Sequence, residues 1–541
     1  MNFKYDSCPP LPWMVDFHAT DTVKVHSNQL EAAYVAKELD HLASLNPDSA
    51  AGLCRCTKIF CTITSNQTCK MLEKLLKSGI NGIRVAFPKF DKDKASDMVS
   101  KIKGMNADYS KNIGRINPLV LLLQLNGPQF VQSADVRDDE EVREECVDKL
   151  LKIKSYQHEP VTETSIVNKS KLPDLPSRKG EVFFDKRWVP LTAIKAAESV
   201  LETIVHRGLD IALENDEDQD EIASQDVSET DITTQDKELL IFAVEQNMDC
   251  IIVPGVLHNQ TIRDVRRELN KVKGGHLSII AKIDTMKSLQ HADEIIARAD
   301  GIHLDSAKLM KIIPKEKIFL IEKSIIAKCI KNHRLIYVTT STNDRINICK
   351  SEICDIANIV MESVDGFIIP EMMTTPETVT NVHGVCREAE PAVFQRQLNE
   401  DLTESITLTE PIYGVAISVI SLSLKCEAAA IICTTSSGRT AQLLSMFRPR
   451  CPIIAVTKHK RVARKLSLFR GCEPLIQLND YGGEWQQVQD KRLQLGVTFG
   501  KLMGFIRGDD VIVTLSPTRP DSGFTNSVRV FYASFFDDIS K

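Results

Sequence analysis

Lys282 stands inside Ser278-Ile-Ile-Ala-Lys-Ile283, an apolar run rich in β-branched residues. An ammonium buried in such a strand is costly unless an anion lies beside it. Two readings fit. The lysine faces a cavity and meets an anionic substrate or a developing enolate, or its long stem carries the charge out to the rim. Asp284, two residues on, shares its face of the strand. That pair is either a structural ion pair or a base next to a metal ligand.

A second constellation is Thr434-Thr-Ser-Ser-Gly-Arg-Thr440, which follows an apolar run and precedes a helical stretch, 441–447. Hydroxyls and a glycine at a strand-to-helix turn direct backbone N–H groups and the positive helix end at one anion. An N-cap needs only one Ser or Thr. Five hydroxyl residues in seven exceed that need and favour phosphate binding. Downstream, Arg519-Pro-Asp-Ser-Gly-Phe-Thr-Asn526 is a turn-rich loop suited to closing over the same anion. Neither GxGxxG nor GxxxxGK[ST] occurs, so dinucleotide and P-loop sites are unsupported.

The elements that must hold these residues follow a rhythm. Apolar runs at 59–63, 83–87, 119–125, 250–254, 278–283, 301–304, 335–339 and 366–370 each precede a longer helical stretch. About eight strand–helix units are the count of a (β/α)8 barrel, whose working residues lie at the C-terminal strand ends. Arg84, Gln124 to Pro128, Asp284, Asp305 to Lys308, Thr339-Thr340 and Glu371 fall there. A polar, acidic insertion breaks the rhythm between the third and fourth runs. Its runs Asp138-Asp-Glu-Glu141 and Glu214 to Glu221 read as solvated loops, and 181–184 and 188–191 as strands. After about residue 396 a second set of runs (428–433, 452–456, 474–478, 511–515, 528–532) reads as an open α/β domain. The expected organisation is an N-terminal helical segment (1–50), a TIM barrel (51–126 and 238–396), an inserted β-rich lid (127–237) and a C-terminal α/β domain (397–541).

Bulk properties set outer limits. The chain has 541 residues, 43% hydrophobic and 26% charged, with a net charge of -6. That balance gives no argument for nucleic acid or an anionic membrane surface. No run of eighteen apolar residues and no leader-like start at 1–20 is visible. Fifteen scattered cysteines without a CxxC pair read as buried, reduced thiols. Together these predict a cytoplasmic protein.

Over nearly its whole length the chain resembles the pyruvate kinase family. The resemblance rests on Arg55-Cys-Thr-Lys-Ile-Phe-Cys-Thr-Ile63, Lys77-Ser-Gly-Ile-Asn-Gly-Ile-Arg84 and Ala281-Lys-Ile-Asp284. It is strongest in Thr435-Ser-Ser-Gly-Arg-Thr440, Arg448-Pro-Arg-Cys-Pro-Ile-Ile-Ala-Val-Thr457, Phe469-Arg-Gly471 and Arg519 to Arg529. Only the lid matches poorly. The resemblance implies the glycolytic transfer of a phosphoryl group from phosphoenolpyruvate to ADP, with Mg²⁺ and usually K⁺, in a homo- or hetero-tetramer. It assigns Lys282 to transferring charge, Arg84 to the phosphates and Thr339 to proton transfer. It also implies a fructose 1,6-bisphosphate site formed by Thr435, Ser436, Ser437, Gly438, Thr440, Trp485, Arg492 and the loop Arg519 to Gly523.

The same comparison exposes departures. The family's two Mg²⁺ carboxylates are a Glu and an Asp; here they are Asp284 and Lys308. Its K⁺ ligands fall at Ala86, Pro88, Gln124 and Leu125. The glycine of its metal loop is Ala307, an ADP-side arginine is lost at Val131, and its lid Asp-Asp-Gly reads Asp185-Lys-Arg187. Phosphoryl transfer rests on positioning and on bound cations, so these losses predict a pseudoenzyme that binds or regulates. The alternative is an active, divergent pyruvate kinase working through Lys282, Arg84 and Thr339.

Overall fold

The computed structural model describes residues 29–63, 69–87, 90–127, 131–132, 150–155, 164–167, 179–184, 187–197, 200–205, 232–310, 312–339, 350–406, 410–479, 481–520 and 523–534. Among the readings above, those on 1–28, Pro88, Pro128, the acidic runs, Asp185-Lys186, Thr340 and Asp521-Ser522 lie outside these residues.

Eight parallel strands close a barrel. They are strand one (Lys58–Ile63), two (Gly82–Ala86), three (Val120–Gln124), four (Cys250–Val253), five (Ser278–Ile283), six (Gly301–Leu304), seven (Leu335–Thr339) and eight (Gly366–Ile369). Strands one, four, five, six, seven and eight are buried at every residue, as parallel strands covered on both faces must be. Closure pairs Lys58 with Gly366 and Phe60 with Ile368. A Cβ at Gly366 would overlap the Lys58 carbonyl, so the joint needs a residue without one.

The N-terminal face of the barrel carries a fourfold device. Each even strand is preceded by Asn81, Asp249, Asp300 or Asp365. Its side-chain oxygen accepts the backbone N–H of Ile59, Leu121, Ile279 or Ile336 on or next to the preceding odd strand. An arginine completes each: Arg55, Arg464, Arg266 and Arg448. Two of these arginines belong to the C-terminal domain and tie it to the barrel. Arg448 grips the buried Asp365 with both terminal nitrogens, at 2.5 and 2.8 Å. Lys58, 1% exposed, adds bonds to the Cys472 carbonyl and Glu473, and the Tyr337 hydroxyl donates to the Leu468 carbonyl at 2.8 Å.

The C-terminal domain is a five-stranded sheet in the order Cys472–Ile476, Ile453–Thr457, Ala430–Thr434, Val511–Ser516, Ser527–Tyr532. The last strand alone is antiparallel. Its first and third strands are displaced by about two residues from the apolar runs, because pairing across the sheet sets their ends. The helix expected at 441–447 is Arg439–Met446, opened by Gly438 in the left-handed region at φ 85°. A Cβ there would be strained and would crowd Val462.

The insertion, with its ends, forms its own compact unit over 126–237 and 263–265. It is a mixed six-stranded sheet in the order Val131–Gln132, Thr164–Val167, Leu150–Ser155, Val200–Val205, Arg187–Ala197, Lys179–Phe184. No helix among the described residues is long and apolar enough to cross a membrane. Burial pushes the Cys61 thiol up to about 12 and the thiols of Cys250 and Cys433 well above their ordinary range.

Candidate functional site at the barrel mouth

Four charged side chains form a chain where strands five and six end. Lys282 Nζ lies 2.5 Å from Asp305 Oδ2 and 3.7 Å from Asp284 Oδ2. Lys308 Nζ lies 2.8 Å from that same Asp284 oxygen. The order is Asp305, Lys282, Asp284, Lys308, with the signs alternating.

Strand register builds this chain. Lys282 pairs with His303 on strand six, so Asp284 and Asp305 leave neighbouring strands two residues later on the same face. Asp305 caps the short turn Ser306–Leu309 by accepting the Lys308 N–H at 3.2 Å. The cap brings Lys308 back over the end of strand five. Lys282 is only 9% exposed, so its charge stays in the mouth rather than reaching the rim. The pair read as Lys282 and Asp284 is an ion pair that two further residues extend. Burial favours protonation of Asp305, yet Lys282 and the Lys308 N–H hold its carboxyl well below the usual range.

Around the chain sit the other predicted residues. Arg84 donates through Nε to the Thr62 hydroxyl at 2.9 Å and through Nη1 to Gln124 Oε1 at 3.0 Å. Thr62 lies opposite Arg84 in the register of strands one and two, and its own hydroxyl donates to the Ile369 carbonyl. Burial pushes Arg84 down to about 10 against the pull of Asp305 and Glu371. Thr339 Oγ1 is 2.7 Å from His303 Nε2. His303 is fully buried. Burial, with Lys282 and Arg84 nearby, pushes it well below its ordinary value against the pull of Asp305, so the ring is neutral. At the positions matching K⁺ ligands, Ala86 offers a methyl, Leu125 is buried, and Gln124 is engaged by Arg84.

His303 and Thr62 are neighbours that the sequence reading did not single out, and Asp305, placed at the end of strand six, had no partner assigned to it. A signal was present: His303-Leu-Asp305 repeats the spacing of Lys282-Ile-Asp284 on the adjacent strand.

In the C-terminal domain, Thr435 Oγ1 accepts the Gly438 N–H at 2.9 Å and Ser437 Oγ accepts the Arg439 N–H at 3.4 Å. Thr440 and Thr525 share a hydroxyl bond of 2.8 Å, which joins the hydroxyl turn to the downstream loop. Thr434 bonds Gln489 at 3.0 Å, so the helix Trp485–Leu502 packs beside the turn. Trp485, Gln489 and Arg492 occupy one face of that helix by spacing. The Trp485 indole N–H is buried without a hydrogen-bond partner among the described residues. Arg492 Nε is held by Gln477 at 2.8 Å. Ser436, Arg519 and Gly523 are exposed. The mouth and the hydroxyl turn are separate sites, on the barrel and on the C-terminal domain.

Two family profiles match the chain: pyruvate kinase, barrel domain, over residues 54–377, and pyruvate kinase, alpha/beta domain, over residues 414–531. The chain is 29% identical over 527 residues to pyruvate kinase PKLR of Rattus norvegicus, covering 95% of this chain and 91% of that protein. Against pyruvate kinase PKLR of Homo sapiens the identity is 28% over 528 residues, with the same coverage. Against the pyruvate kinase of Trypanoplasma borreli it is 23% over 492 residues, 89% of this chain and 96% of the relative. With a closed eight-stranded barrel, a mixed-sheet insertion after strand three and an α/β domain at the C-terminal end, the chain belongs to the pyruvate kinase family.

Proposed function

We propose that this chain is a pyruvate kinase relative that has lost turnover of phosphoenolpyruvate and ADP and serves in the cytoplasm as a binding or regulatory paralogue. The observation that carries the reading is the 2.8 Å bond between Lys308 and Asp284. These two residues stand where the family places its Mg²⁺ carboxylates. Mg²⁺ takes oxygen ligands in a near-octahedral array. An ammonium supplies no lone pair, and here it also places a positive charge on Asp284 Oδ2, against any second cation. The residues at the mouth therefore do not fit the divalent ion, and the Ala86, Gln124 and Leu125 positions do not fit K⁺.

Lys282, Arg84 and Thr339 are retained but engaged by protein groups: Asp305, Gln124 with Thr62, and His303. Without bound cations the charge developing on a transferring phosphoryl group has no counterpart. Purified protein should show no phosphoenolpyruvate-dependent, ADP-dependent pyruvate formation above background in a lactate-dehydrogenase-coupled assay with K⁺ and either Mg²⁺ or Mn²⁺. Turnover that Lys282→Met abolishes would overturn the reading.

The C-terminal hydroxyl turn supports a second element of this function, binding of a sugar bisphosphate such as fructose 1,6-bisphosphate. The left-handed Gly438 opening a helix beside Thr435 and Ser437, and the Thr440–Thr525 bond to the closing loop, favour it.

A further inference from the structure

Lys308 fills the metal position, but Asp305 has no such counterpart. A carboxylate at this point is not needed to hold Lys282 in the mouth, since Asp284 already lies 3.7 Å away. Nor is the full charge needed to cap Ser306–Leu309, where one oxygen accepting the Lys308 N–H suffices. Its second oxygen reaches Lys282 at 2.5 Å, the shortest contact of the four-residue chain. Lys282 is the buried cation that an incoming anion would have to meet.

We propose that Asp305 is a tethered counter-ion that takes the place of an anionic ligand on Lys282, so that the mouth is closed to small phosphate and carboxylate anions by its own side chain. The inference rests on the reading of a site without turnover and adds the cause of its low anion affinity. The chain carries a stand-in for each missing partner: Lys308 for the cation and Asp305 for the anion. Lys282 and Lys308 balance Asp284 and Asp305 charge for charge. Arg84, a further cation of the mouth, donates through Nε to Thr62 and through Nη1 to Gln124. An arriving dianion must displace a carboxylate held on the same backbone, at high effective concentration. It must also leave that carboxylate buried beside a second one, Asp284, with like charges in a poorly solvated site.

The test is the affinity of inorganic phosphate, measured by isothermal titration calorimetry in metal-free buffer. The proteins are the unmodified chain, Asp305→Asn, Asp305→Ala, and Asp305→Asn combined with Lys282→Met. Asparagine keeps the oxygen that caps Lys308 and removes only the charge. The alanine variant tests whether loss of the carboxylate, rather than the new amide, is responsible. Both single variants should bind phosphate at least tenfold more tightly than the unmodified chain, and the gain should vanish when Lys282 is also replaced. The double variant separates the mouth from the hydroxyl turn, which would bind phosphate equally in all four proteins.

Equal affinity in the unmodified chain and both single variants overturns the proposal, as does a gain that survives Lys282→Met. Turnover by the unmodified chain, measured separately, would overturn the proposed function. The counter-ion role would then stand only if Asp305→Asn still bound phosphate more tightly. Catalytic silence together with no gain in affinity leaves the proposed function intact and removes the counter-ion. Retention of the parent's melting transition in Asp305→Asn confirms that the comparison is between folded proteins.

Discussion

A buried histidine near two cations has two reasons to stay neutral. His303 is held neutral by burial and by Lys282 and Arg84, and it bonds Thr339. Its folded value lies below the ordinary 6.5 or so. Between those two values the unfolded chain carries a proton that the folded chain does not. The sign follows: its contribution to stability is complete above about pH 6.5 and falls as pH drops. We expect His303→Gln, which can keep the Thr339 bond, to flatten the acid limb of stability just below about pH 6.5. The change should approach one proton, about 1.4 kcal/mol per pH unit, in urea titrations at stepped pH. An unchanged slope would show that the histidine titrates normally. Asp305 acts lower on the scale: with its folded value depressed, its contribution is lost only below about pH 3.9.

The four Asn or Asp residues before the even strands give the barrel its clearest internal order. They differ in depth, and that sets their worth. Asp365 is 1% exposed and grips Arg448 with two bonds. Removing it leaves a buried guanidinium without its carboxylate. Asp365→Ala should therefore cost about 3–5 kcal/mol. Asp300 pairs with Arg266 with more than a third of its side chain exposed. Water screens that pair, so the ion pair itself contributes under about 1 kcal/mol. Chemical denaturation of Asp365→Ala and Asp300→Ala should rank them in that order, and the reverse order would count against the argument from depth.

How much of this was legible beforehand depended on the physical signal. Strands five, six and seven were readable to the residue, because a strand buried on both faces is an unbroken apolar run. The Asn-Gly and Asp-Gly steps at 81, 300 and 365 mark turns. Their second role, capping a neighbouring strand and holding an arginine from far along the chain, depends on register and has no local signature. The same limit hid the role of Asp305. Its partner Lys282 lies on another strand, and only pairing brings the two together. Lys282 itself was conspicuous because a charge in an apolar run needs an explanation wherever the strand lies.

On the scale of the whole molecule, the candidate ligand sites are separable by experiment. Fructose 1,6-bisphosphate binding at the hydroxyl turn should raise the melting temperature in proportion to the logarithm of ligand excess. Arg492→Ala should remove most of that shift, whereas Lys282→Met, on the barrel, should leave it unchanged. Absence of a shift at millimolar ligand would argue against the turn as a bisphosphate site.

Two polar ties between the barrel and the C-terminal domain, Asp365 with Arg448 and Lys58 with Glu473, lie where strands one and eight begin. The mouth lies where strands five and six end. Substitutions at the mouth therefore leave those ties untouched. A scaffold held together at one end of its barrel can accept a different set of charges at the other.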